Sequence, residues 1–279
     1  MGWELLAAGH INKMRTSHSD AVAYQLPLDD TLCDMNALLG QRLKLVYGGD
    51  IHCCHCGRKT KKSFNQGYCY PCFQKLAQCD SCIVSPEKCH YDAGTCREPE
   101  WGETHCLTDH IVYLANSSGA KVGITRQSQV PVRWMDQGAI QALPIFRVAT
   151  RRLSGLLEVI LKDQVADKTN WRTMLKGDVD YIDLISLRDQ LLDNAWDQIV
   201  ALQREYGIQA VQFIEDAVEY DFRYPVEIYP KKLVSFNLDK EPEIEGVLQG
   251  IKGQYLIFDC GVINMRKFGS YHIELYRAA

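Results

Sequence analysis

The rhythm of hydrophobic and polar positions changes several times along the chain. Residues 42–47 alternate cleanly, which predicts a strand, and Gly48-Gly49-Asp50 turn it toward the next segment. Residues 3–6 and 21–26 read as further strands, whereas 32–39 has helical spacing that stops at Gly40. From 110 an apolar run over 110–115, the turn Asn116-Ser117-Ser118-Gly119 and a return over 120–125 predict a hairpin. A short helix near 132–137, a strand around 145–149 and a helix from about 153 to 165 should follow. Leu187, Leu191, Leu192, Ala195, Ile199 and Leu202 keep three-and-four spacing, predicting one long helix over 184–206. Beyond it, 246–249 and 254–258 read as strands whose turn Gly250 and Gly253 bracket, and 271–276 as a closing strand.

These elements define an α+β protein in four segments. Residues 1–52 form a β-rich segment, 53–106 a cysteine-rich one, 107–176 a small α/β domain, and 177–279 an acidic helix plus β-rich domain. Hydrophobic residues at 46% and charged residues at 24% exclude global disorder and coiled coil. No apolar run approaches the roughly 20 residues of a membrane helix. The start, Met1-Gly2-Trp3-Glu4, lacks a signal-peptide layout, so a cytoplasmic location without membrane partners is expected.

The net charge of −4 conceals a division: −1 over 1–106, +5 over 107–176 and −8 over 177–279. A polyanion such as DNA or RNA would meet the middle, where Arg126, Arg151 and Arg152 are candidate phosphate contacts. The acidic last segment offers a surface for protein partners. Lys252, Arg266 and Lys267 there read as ordinary solvated charges.

Twelve cysteines without an export signal point to metal rather than disulfides, and ten of them lie between Cys53 and Cys106. Cys53-x2-Cys56 and Cys69-x2-Cys72 are two knuckles, each able to bring two thiolates to one ion in a zinc-ribbon arrangement. Cys54 should face away. Phe64, Tyr68, Tyr70 and Phe73 would cover the knuckles, and Arg58, Lys59, Lys61 and Lys62 form a basic tip suited to phosphate. A second metal has a surplus of ligands: Cys79, Cys82, Cys89 and Cys96 are the favoured four and Cys106 the reserve, with His90 and His105 adjacent. Two zinc ions are expected, with an iron–sulfur cluster as the alternative for four thiolates. The segment 53–106 is too poor in aliphatic residues to fold without them.

Ile111-Val112-Tyr113, Lys121-Val122-Gly123, Arg133 and Glu158 resemble, in order and spacing, the signature of the GIY-YIG nuclease superfamily over about 110–175. A phage-associated branch is similar in using a Lys-Ile-Gly triplet, and Trp171 resembles its tail. The resemblance implies two triplets on paired strands, an Arg on the next helix, a metal-binding Glu on a later one, and cleavage of nucleic acid. The cysteine-rich part together with Tyr-Leu-Ala, Lys-Val-Gly-Ile-Thr and Asp-Gln-Gly-Ala also resembles, over nearly the whole chain, an uncharacterised bacterial family.

Phosphodiester hydrolysis needs a divalent ion, a cation at the phosphate oxygens and a base. Glu158 is the candidate ligand for Mg2+ or Mn2+, Arg133 for the phosphate, and Tyr113 for positioning or deprotonating water, with Lys121 as electrostatic partner or base. The first triplet lacks its Gly, Lys121 replaces a Tyr, and Asp136 would repel phosphate. Two alternatives therefore stand beside the endonuclease: a non-catalytic zinc-containing nucleic-acid-binding or ribonucleoprotein-associated protein, and a protein-interaction scaffold.

Overall fold

The computed structural model describes residues 2–162, 165 and 170–279. The chain begins with β1 (Trp3–His10), β2 (Arg15–Ser17), β3 (Ala23–Leu28), β4 (Thr31–Asp34) and β5 (Arg42–Ile51). Short helices α1 (Tyr70–Lys75) and α2 (Pro99–His105) punctuate the cysteine-rich stretch. There follow β6 (His110–Asn116), β7 (Ala120–Arg126), α3 (Val132–Asp136), β8 (Gln141–Val148) and α4 (Arg151–Lys162). Helices α5 (Trp171–Lys176) and α6 (Leu184–Tyr206) precede β9 (Val211–Phe213) and β10 (Tyr220–Asp221). The chain closes with β11 (Glu243–Lys252), β12 (Tyr255–Phe258), β13 (Gly261–Asn264) and β14 (Tyr271–Ala278). No helix among the described residues is long and apolar enough to cross a membrane.

Two compact units share these elements. The first comprises Met1–Gln74, Leu175–Gly177 and Arg223–Ala279; the second comprises Lys75–Met174 and Asp178–Phe222. In the first, an antiparallel sheet runs in the order β1-β14-β5-β11-β12-β13, beside a smaller sheet β2-β3-β4. In the second, the order is β10-β8-β6-β7, with β9 also pairing β8. The cysteine-rich stretch is divided between the units at Gln74.

Strand β6 is buried at every position, because it is central in the sheet of the second unit. Leu153, Leu157 and Leu161 of α4 join the same core as Leu191, Leu192, Ala195 and Ile199 of α6. Helix α6 spans the predicted 184–206, and the Asp183 carboxylate accepts from the Ser186 N–H at 2.9 Å to cap it. Residues 163 and 164, at the end of the helix predicted over 153–165, lie outside the described residues.

Two sequence expectations fail for local reasons. Residues 32–39 form no α-helix: they divide between β4 and a 3-10 turn over Asn36–Leu38. Asn36 accepts from the Tyr24 N–H at 2.8 Å and donates to the Val22 carbonyl at 3.1 Å, tying the segment to the neighbouring chain instead. Gly250 lies inside β11, where the register with β12 shifts between Leu248 and Gly250, so the turn falls after Lys252. Lys252 itself is 1% exposed, its ammonium 5.3 Å from the Tyr224 ring and 5.7 Å from the Tyr229 ring. Burial pulls its pKa down to about 8, the opposite of a solvated charge.

Candidate functional site

The first cysteine set lies in the first unit. The sulfurs of Cys53, Cys56, Cys69 and Cys72 all lie within 4.8 Å of one another, and Cys56 and Cys69 are 3.7 Å apart. Zn–S bonds of about 2.3 Å in a tetrahedron put sulfurs about 3.8 Å apart, so the donor set is consistent with zinc. The first knuckle is held by the Gly57 N–H donating to the Cys53 carbonyl and the Cys53 N–H donating to the Arg58 carbonyl, both at 2.9 Å. Burial pushes the Cys53 thiol up, but backbone N–H groups of Cys69, Cys56 and His55 overcome this and bring it down to about 6. Cys54 is outside the set. Phe64 packs against Tyr70 and Phe73 at 5.3 and 5.6 Å between ring centres. Arg58, Lys59, Lys61 and Lys62 are exposed, yet Lys59 already pairs with Asp50, and the Lys62 ammonium stands 5.3 Å over Phe64.

The second set belongs to the second unit. Cys82, Cys89, Cys96 and Cys106 line one cavity of about 20 Å³, while Cys79 is not among its walls. The structure therefore gathers the reserve residue Cys106 with three of the favoured four. Asp80 lines the same cavity, and with Cys82 and His90 it offers ligand atoms within 4.8 Å of one another, a second group able to hold a metal. The Asp80 carboxylate is already engaged: it accepts from the Ser81 N–H at 2.6 Å and from Arg97 Nε at 2.8 Å. Burial works against its charge, and the Ser81 amide and Arg97 more than offset it, holding the carboxyl below its ordinary range. Burial, then Asp80 and the neighbouring thiols, push Cys82 up to about 11. His105 stacks on Trp101 at 4.3 Å and bonds to the Trp101 carbonyl at 3.0 Å, apart from the cavity walls.

This loop is clasped to α4. The Arg151 guanidinium donates to the Ile83 carbonyl at 2.5 Å, and the Arg151 N–H donates to the Cys106 carbonyl at 2.7 Å. Gly155 completes the contact, since a Cβ there would stand 2.6 Å from the Glu87 nitrogen and 2.7 Å from Pro86 Cβ. Arg152 donates to Asp92 at 3.1 Å. Arg151 and Arg152 thus serve contacts within the fold, whereas Arg126 and Arg133 lie within electrostatic reach of Arg151.

On the β6–β7 hairpin, Tyr113 faces Gly123. Its ring lies across that glycine, where a Cβ would approach the phenol oxygen to 2.7 Å. The Tyr113 hydroxyl donates to Gln137 Oε1 at 3.1 Å, and the Lys121 ammonium donates to the same oxygen at 3.0 Å. Burial raises the Tyr113 phenol; Arg133 pulls it down, and the Glu158 carboxylate opposes that. Tyr113, Lys121, Arg133 and Glu158 therefore belong to one neighbourhood, with Tyr113 wholly buried and Arg133 and Glu158 half-buried. Gln137, which joins Tyr113 to Lys121, was not among the sequence candidates. Its signal was the spacing of four from Arg133 at the end of α3, which puts both on one helix face. Asn170 caps α5, accepting from the Arg172 N–H at 3.1 Å; Arg172 in turn lies 4.5 Å over the Trp171 ring.

Fold and sites together define an α+β protein with a four-cysteine cluster suited to metal. The chain matches, over residues 40–273, the family described as protein of unknown function (DUF2797), and it belongs to that family. Neither the curated proteins nor the solved structures contain a match to it.

Proposed function

We propose that the protein acts on nucleic acid, as a metal-dependent phosphodiester hydrolase of GIY-YIG type. The reading rests on one observation: two residues from paired strands, Tyr113 and Lys121, share the Gln137 oxygen, while Arg133 and Glu158 both act on the Tyr113 hydroxyl. Four candidates chosen from separate stretches of sequence thus fall in one neighbourhood, in the order the family resemblance implies. Arg133 would bind a non-bridging phosphate oxygen, supported by the further positive charge of Arg126 and Arg151. Half-buried Glu158 would hold Mg2+ or Mn2+ with waters completing the shell, and the ion would stabilise charge on the leaving oxygen. Tyr113 and Lys121 would position the attacking water.

The full burial of Tyr113 favours a second reading, in which the same surface binds nucleic acid without cutting it. Burial raises the phenol away from its ionised form, so Tyr113 serves as a hydrogen-bond donor rather than a base at neutral pH. Cleavage assays with single-stranded, duplex and branched DNA and structured RNA, with Mg2+ or Mn2+, separate the two. For the hydrolase, Glu158→Gln lowers cleavage by about 100-fold or more and preserves binding. Arg133→Ala weakens both, and binding falls steeply with salt because phosphates carry the affinity. Salt-sensitive binding without cleavage of any substrate would support the second reading; neither binding nor cleavage would remove both, leaving the scaffold.

A further inference from the structure

The two cysteine sets differ in how the chain delivers their ligands. In the first, two Cys-x2-Cys knuckles each supply a pair of thiols, and all four sulfurs converge within 4.8 Å. Around the second cavity the four cysteines arrive singly, with six, six and nine residues between them. Cys82 comes from a 3-10 turn over Ser81–Ile83, Cys89 from the end of another over Pro86–Lys88, Cys96 from the following loop, and Cys106 from the end of α2. The one residue that would make a knuckle, Cys79, is not in the wall. Among the described residues, no three of these four sulfurs gather within 4.8 Å, although they face a common space.

A mononuclear tetrahedral site leaves no room at its centre, because one ion of short bond length draws the sulfurs together. A polynuclear cluster places a separate iron behind each thiolate, so its ligands stand further apart around an enclosed volume. The cavity also has the walls such a cluster needs. Ile83, Tyr91 and Trp101 line it, and Gly102 lets α2 approach the Tyr91 ring, to which a Cβ there would lie 3.2 Å. Apolar and aromatic walls limit water at the sulfurs. Asp80 also lines the cavity, but its carboxylate is engaged by the Ser81 amide and Arg97, and the other metal-binding side chains in the wall are thiols.

We infer that Cys82, Cys89, Cys96 and Cys106 hold an iron–sulfur cluster of the [4Fe–4S] type, and that zinc is confined to Cys53, Cys56, Cys69 and Cys72. This assignment is independent of the reaction proposed above and replaces the second zinc with iron and sulfide. Cys79 is not a ligand, and the clasp by Arg151 makes the cluster part of the platform for α4.

The full chain, purified without oxygen from cells supplied with iron, tests this by its iron, acid-labile sulfide and zinc content and its visible absorption. The expected sample is brown, with about four iron and four sulfide per chain and about one zinc. Cys106→Ser should lose the visible band and most of the iron while keeping zinc, and Cys79→Ser should keep both. A colourless anaerobic protein with two zinc ions, refusing iron and sulfide on reconstitution, would overturn the assignment in favour of a site such as Asp80, Cys82 and His90. Iron without sulfide, or a cluster lost in Cys79→Ser but kept in Cys106→Ser, would overturn it as well. Should Cys106→Ser fail to fold, the wild-type metal and sulfide content decides alone.

Discussion

Cys53 to Cys72 and Cys82 to Cys106 contain the same residue type at similar density, yet the chain uses them differently. In the first, a local turn places each pair, and the four sulfurs converge within 4.8 Å of one another. In the second, Cys82 sits within one turn and the other three cysteines end or follow separate ones, with no three sulfurs within 4.8 Å among the described residues. A short-range knuckle prepays the geometry of one small ion. The four cysteines of the second set face one cavity, where we place the cluster.

The largest effect should come from the first set. Cys56→Ser should abolish zinc binding and unfold the knuckle region, since structural zinc contributes on the order of 10 kcal/mol to such sites. Metal analysis and amide exchange over the first unit would detect it; retention of zinc at full occupancy would break the contrast between the sets.

Smaller is the effect at the clasp. Gly155→Ala drives a Cβ to within 3 Å of Pro86 and Glu87 backbone atoms, which should cost about 1–3 kcal/mol of stability. Thermal melting should report it together with reduced occupancy of the second cysteine set and unchanged zinc at the first. An unaltered second set would separate α4 from the metal loop.

His110, at the start of β6, provides a pH handle on the second unit. It is fully buried, and burial pulls its pKa down to about 4, against the smaller upward effect of its bond to the Thr108 carbonyl. The unfolded chain, titrating near 6.5, binds the proton first, so stability is greatest above about pH 6.5 and falls as pH drops toward 4. Between about pH 7 and pH 5 the loss from this one group should be about 2 kcal/mol. Urea titrations of wild type and His110→Phe at both pH values measure it, because carboxylate effects common to both cancel. Equal slopes in the two proteins would contradict the assignment.

Cys54→Ser should do least. It lies outside the four-sulfur set, so zinc content should not change and stability should shift by no more than about 0.5 kcal/mol. A loss of zinc there would mean the knuckle uses another sulfur.

Much of this arrangement was legible in the sequence where local pattern decides. The hairpin of β6 and β7 pairs Asn116 with Ala120, as its turn residues suggested, and α6 follows its apolar spacing from end to end. The Cys-x2-Cys knuckles were readable for the same reason. What escaped depended on distant partners. The segment 32–39 was captured by Val22 and Tyr24 through Asn36, and Lys252 was buried by Tyr224 and Tyr229 from elsewhere in the chain. Periodicity reports neither. That Cys106 and not Cys79 lines the cavity was equally hidden, because it depends on α2 closing the cavity and on the Arg151 N–H holding the Cys106 carbonyl rather than on any interval between cysteines. Gln137 escaped because a neutral amide attracts no notice until two donors are seen to share its oxygen.

X-ray absorption at the zinc and iron edges of one anaerobic sample tests the difference between the two sets most directly. Zinc should be surrounded by four sulfurs at about 2.3 Å with no metal neighbour, and iron by sulfur with other irons at the next distance. A zinc edge showing a mixture of sulfur, nitrogen and oxygen ligands, with no iron edge at all, would contradict it.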